Sequence, residues 1–321
     1  MKKQLLLLAM MLLPMVASAK QVRIDDIDYE LYTENNNNYA RVIRNFWKPN
    51  KFEYKGHIVI PETVTYKKKV YVVREIGGMR AELKGAFEDC YGLLSVTLPQ
   101  TIQVISRNAF KNCTNLTEIS LPEGLEHIRG SAFYGCTGLT NIVFPKSLKG
   151  IGDSYADTQG AFELCTGLTK IIIPDELEAI GKEAFRSCHN LQTVIIGDGV
   201  KFIGKDAFSN CENITNITLG KNVRSIGESA FEGCRSLTKV IIPATIKTID
   251  KFAFWNCKNI RSITCLAKEP PQIKAFVDMT STVTKETFHY DKPLYVPKGC
   301  VLKYKAAFGW REFVDIQELD E

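Results

Sequence analysis

Between residues 76 and 265 one phrase, close to Ala-Phe-x-x-Cys-x-x-Leu-x-x-Ile-x-Leu, returns eight times, and nothing else in this 321-residue chain restricts its fold so strongly. Its phenylalanine falls at Phe87, Phe110, Phe133, Phe162, Phe185, Phe208, Phe231 and Phe254, in steps of 23 residues except for one of 29. The cysteine three places on keeps the same rhythm, from Cys90 to Cys257. A unit this short cannot bury its own apolar face, so successive units must stack into a one-dimensional array. That period overrides the two domains that length alone would suggest.

A single unit shows how the stacking works. In residues 116–122, Leu-Thr-Glu-Ile-Ser-Leu-Pro, apolar and polar side chains alternate, the pattern of a strand with one buried face. Pro122 ends it, because proline has no N–H for a ladder. Leu125 and Ile128 then return to the core, and Ala132-Phe133 opens the next corner. Stacked copies would form continuous Leu, Ile and Phe columns, each buried Phe contributing roughly 2–3 kcal/mol. The strands would form a parallel sheet spaced about 4.8 Å per coil, with short turns or helical corners on the other side.

The period and its aliphatic pattern mark a leucine-rich repeat, and the phrase resembles the BspA-like class found in surface and secreted proteins of gut and oral bacteria. The resemblance covers about residues 56–265. It implies a repeat solenoid and, in function, the adhesion or recognition role usual for that class. Four segments are expected: a signal peptide over 1–19, a β-rich N-terminal cap over 20–75, the solenoid over 76–265 and a C-terminal cap over 266–321. The N-terminal cap holds a degenerate first repeat at Ile58-Val59-Ile60-Pro61. Its Lys67-Lys68-Lys69 reads as a hairpin turn. The C-terminal stretch is aromatic, with Tyr304, Phe308, Trp310 and Phe313, and either closes the array or forms a separate binding module.

The first residues read as an address. Lys2 and Lys3 precede an apolar run over residues 5–16, too short to cross a bilayer, and Ala17-Ser18-Ala19 supplies a cleavage site. The expectation is an exported protein, secreted, at the cell surface or periplasmic, with no integral membrane segment after processing. Removing the two lysines from the formal charge of +5 leaves +3. With no basic run interleaved with aromatics, that is too little to suggest nucleic acid.

Ten cysteines in an exported chain invite a disulfide framework. Eight, however, hold the same place in successive coils, where side chains point alike rather than toward each other. They are expected to be buried thiols. Cys265 and Cys300 fall outside that register, and whether they pair stays open. The histidines, His57, His127, His189 and His289, show no metal-ligand spacing. No nucleophile elbow or phosphate-binding glycine loop occurs. No catalytic residue, metal or cofactor is therefore expected, and the chain is not expected to be an enzyme. Gly181, Gly204 and Gly227 recur at one point of the coil and read as turn residues.

Two departures from repetition point to function. The step from the repeat Ile to the Phe is five residues at Ile105–Phe110 but eleven from Ile76 to Phe87 and from Ile151 to Phe162. Six extra residues, near 78–83 and 153–158, would project as loops, either neutral or carrying binding residues such as Tyr155. The second departure is an outward strand column of Thr97, Ser120, Val143, Ile172, Ile195, Thr218, Ile241 and Thr264, which is apolar in its middle. Strand propensity accounts for β-branched residues there, and an interaction patch accounts for their adjacency. The candidate ligand-binding residues are Val143, Ile172, Ile195 and Ile241, flanked by Lys170, Lys239 and Tyr155. The partner would be a protein or glycan, from a host, a neighbouring cell, or the same cell's envelope if the role is structural.

Overall fold

A computed structural model describes residues 19–44, 54–77, 85–152, 159–274 and 291–320. Each coil runs from a strand on one face, through a turn, to a two- or three-residue strand on the opposite face, and then through the Phe corner. On the opposite face the repeat isoleucines stand in one unbroken parallel register: Ile76, Ile105, Ile128, Ile151, Ile180, Ile203, Ile226, Ile249 and Ile273. Together with the N-terminal strands this ladder makes a thirteen-stranded sheet. The side expected to carry only turns or helical corners therefore carries the longer sheet. Its strands, such as His127–Ile128 and Phe202–Ile203, are too short to display an alternating pattern in sequence.

The corners are turns, and the Phe column runs through them. Adjacent rings from Phe87 to Phe254 lie 4.9–5.4 Å apart between centroids and within 13° of parallel. That is the spacing of a strand ladder, met by offset stacking. Two left-handed residues flank most interior phenylalanines, as Asn108 (φ 56°) and Asn112 (φ 59°) flank Phe110, while Phe162 has Leu164 (φ 61°) alone. Asn, Asp, Ser and Gly dominate these sites because they tolerate positive φ. All eight repeat phenylalanines are fully buried.

Gly181, Gly204 and Gly227 have a different reason from the one expected. None has a positive φ. A Cβ at Gly204 would stand 2.7 Å from the carbonyl carbon of Gly181, and one at Gly227 would stand 2.8 Å from that of Gly204. Close approach of neighbouring coils, rather than turn geometry, demands glycine there.

The N-terminal cap comprises β1 (Lys20–Ile24), β2 (Ile27–Glu34), β3 (Asn37–Val42), β4 (Gly56–Val59), β5 (Thr63–Tyr66) and β6 (Lys69–Ile76). Asp25-Asp26, Asn35-Asn36 and Lys67-Lys68 each pair two left-handed residues in a two-residue hairpin turn, the geometry that matches strand twist. Strand β3 lies parallel to β6, and β4 lies parallel to Leu93–Thr97 with Ile58 opposite Val96. The Arg41 guanidinium is buried over the Tyr32 ring, 4.2 Å from its centroid, and reaches Glu30 (3.4 Å) and Glu75 (3.7 Å).

At the other end Leu294–Val296 and then Ile316–Glu318 continue the face sheet in parallel. The helix Val301–Ala306 sets Tyr304 into the core, where its hydroxyl donates to the Ala267 carbonyl (2.7 Å). Trp310, fully buried, donates to the Pro271 carbonyl (2.7 Å). These residues cover the last columns, which an open coil would expose.

Candidate functional site

The face strands carry the predicted column. Ile172, Ile195 and Thr218 pair in register across Lys170–Ile173, Thr193–Ile196 and Asn216–Thr218. Lys170, Thr193 and Asn216 run beside them two residues earlier. Ile241 lies opposite Thr264, and Lys239 opposite Ser262. Ile172 is 50% exposed, Ile241 44% and Val143 71%, while Ile195 is half-buried. Thr264 departs from the expected outward column. It is 7% exposed, because Ile241 pairs on one side of it and the cap residue Tyr295 on the other. Tyr155 and both six-residue insertions lie outside the described residues.

The structure does not join the column into one strip. The face is three separate ladders. The segment carrying Val143 belongs to none of them, and a second gap separates Asn216–Thr218 from Lys239–Ile242. A bulky ring stands at the first gap. Where other coils place a smaller aliphatic residue, this one has Phe144, whose ring packs edge-on against Phe162 (5.6 Å) and Phe185 (6.3 Å) in the following coils. At the second gap the same position holds Leu219 and Ile242, without an aromatic ring.

Ion pairs link some of the successive coils. Lys149 and Lys201, just before strands of the long sheet, pair with Glu126 (2.7 Å) and Glu178 (2.8 Å) one coil back, and Lys221 pairs with Asp198 (2.6 Å) in the turn between the faces, while Arg224 and Lys247 make no ion pair among the described residues. Each paired lysine holds its carboxyl below the ordinary range by hydrogen bonding and charge. These exposed pairs contribute little stability. On the face, Lys170 and Lys239 have no such partner among the described residues.

A cleft of about 280 Å³ opens at the N-terminal end of the same face, lined by Arg23, Asp26, Tyr54, Lys55, His57 and Val59 among others. His57 Nδ1 lies 2.7 Å from Ser95 Oγ. The sequence reading missed this cleft, since it joins the first hairpin to the degenerate repeat and no spacing announces it. Among the described residues no group of three or more His, Cys, Asp or Glu could hold a metal ion. No helix there is long and apolar enough to cross a membrane.

The BspA type leucine rich repeat region, in six copies, matches residues 83–157 and 158–277, more than half of the chain. The chain belongs to the BspA-type leucine-rich-repeat family. A leucine-rich-repeat protein of T. pallidum is 30% identical over 68% of this chain and 91% of its own, with a TM-score of 0.55. One from Bacteroides ovatus is 21% identical over 93% of this chain and 100% of its own, with a TM-score of 0.44. A leucine rich cell surface protein from Faecalibacterium prausnitzii is 19% identical over 95% and 96%, with a TM-score of 0.33. No curated protein matches the chain. BspA-type repeat proteins generally act in protein interaction or adhesion, and here Ile172 and Ile241 stand exposed on a sheet face.

Proposed function

We propose that this BspA-type protein is a non-catalytic recognition protein, exported from the cell, that binds a macromolecular partner through the face carrying Ile172, Ile195 and Ile241. The observation that carries this reading is that Ile172 and Ile241 on the face are left 50% and 44% exposed, with Ile195 half-buried beside Ile172. Neighbouring exposed apolar residues on a folded surface usually mark an interaction site. Each isoleucine that a partner covers fully contributes about 1.5–3 kcal/mol before the costs of association. Export is supported by the charged, apolar and small-residue order of the first nineteen residues.

The test is the double variant Ile172→Glu with Ile195→Glu, in a binding screen of the mature chain against matrix proteins and glycans. A folded double variant that loses the partner bound by the wild type supports the face. A folded one that binds as before removes it. An unfolded one shows that Ile195, half-buried, belongs to the core.

A further inference from the structure

We propose that the partner of this face is a protein segment presenting one aliphatic or aromatic side chain flanked by carboxylates. This deepens the reading above and rests on it. Two observations carry it. The first is the gap between Asn216–Thr218 and Lys239–Ile242. Ile217 and Leu219 point into the core yet remain half-covered, whereas Val194, Ile196, Val240 and Ile242 in the adjoining coils are at most 2% exposed. Ile241, on the far lip, is 44% exposed. Half-covered aliphatic side chains beside a break in the ladder suit contact with a single apolar side chain of a partner, the usual form of an anchoring contact.

The second observation is charge. Six successive face segments, 140–143, 169–172, 192–195, 215–218, 238–241 and 261–264, contain no Asp or Glu and three cations, Lys170, Lys239 and Arg261. None of the three makes an ion pair among the described residues, whereas Lys149, Lys201 and Lys221 each pair with a carboxylate one coil back. A surface that leaves only its cations uncompensated is complementary to carboxylates. The same six segments contain no aromatic ring, so nothing there offers a sugar ring a stacking platform, and aliphatic walls favour a protein side chain.

The experiment pans a random-peptide phage library on the immobilised mature chain and remeasures a synthesised winner against variants. Enriched peptides should carry Asp or Glu around Leu, Ile, Phe or Trp. The winner should lose at least about tenfold in affinity on Lys170→Glu with Lys239→Glu and on Ile241→Glu, and weaken as salt rises. Lys239→Gln, which removes charge without reversing it, should give a smaller loss at an unchanged melting temperature. Neutral or basic winners that remain sensitive to Ile172→Glu with Ile195→Glu would overturn the partner chemistry and leave the face standing. Acidic winners indifferent to every face variant would overturn both. Absent peptide enrichment, with chondroitin sulfate bound through Lys170 and Lys239, would replace the protein segment by a polyanionic glycan.

Discussion

The thiol of Cys188 donates a hydrogen bond to the carbonyl oxygen of Phe162, 3.2 Å away and one coil back. The same bond joins Cys113, Cys136, Cys165, Cys211, Cys234 and Cys257 to the Phe of the preceding coil, at 3.0–3.4 Å. The cysteine column thus fills space and also gives each corner carbonyl a second donor, beside the backbone N–H of the cysteine in its own coil, as Cys165 N–H donates to Phe162 (3.2 Å). Free, buried thiols are what the coil needs there, and Cys265 and Cys300 are buried free thiols as well.

The repeat thiols should be unreactive in the native chain. A chromogenic thiol reagent should register almost nothing until denaturant is added without reductant, and then register the repeat cysteines in full. Burial also pushes the thiols of Cys165, Cys188 and Cys234 well above the ordinary value of 9.0. A thiol raised in this way keeps its proton in the folded chain while the unfolded chain loses it. The stability it contributes is complete below pH 9.0 and is lost as pH rises beyond it. The melting temperature should therefore hold up to about pH 9 and fall as pH rises beyond it. A flat profile would contradict this assignment.

Substitution of Cys188 by Val keeps an apolar, compact side chain but removes the donor to Phe162. The expected cost is about 0.5–1.5 kcal/mol in denaturant unfolding. No change would show that the thiol contributes only volume.

Two phenylalanines six residues apart should behave oppositely. Phe208 stacks between Phe185 (5.3 Å) and Phe231 (5.4 Å) and is fully buried, so Phe208→Ala should cost about 3–5 kcal/mol. Phe202 is 50% exposed on the outer side of the long sheet, and Phe202→Ala should stay within about 0.5 kcal/mol. Equal losses at both positions would contradict the placement of the core.

Gly204→Ala adds one methyl group 2.7 Å from the Gly181 carbonyl carbon. Neither backbone can move without parting the coils, so a loss of about 1–3 kcal/mol is expected from overpacking. Thermal unfolding of the single variant measures it, and a neutral result would mean that the coils are more loosely stacked than described.

Hydrogen exchange should report the broken face ladder. Amides of residues 141–144, outside any ladder, should exchange faster than those of Thr193–Ile196, which pair on both sides. Phe144→Leu, which removes the ring from its edge-on contacts, should slow exchange in that coil. Unchanged exchange in this variant would mean that Phe144 is not the cause of the gap.

Much of this molecule was legible in advance. The regular return of Phe110, Cys113, Leu116 and Ile119 by itself determined a stacked array and the identity of its buried columns, since only neighbours in register can cover such residues. It also determined that the cysteines point alike, and that Ile172 and Ile241 point outward. Three features were decided by tertiary structure alone. The second ladder rests on strands as short as His127–Ile128, which show no alternation in sequence. The role of Gly204 rests on the distance to the next coil, which no local pattern reports. The site is the third. Thr264 and Ile172 occupy the same repeat position, yet one is covered by the strand Leu294–Val296 and the other is open, and Phe144 reaches rings in the coils that follow. Periodicity records which way a side chain points. What then lies over it depends on strands from distant parts of the chain, and only the folded array brings those together.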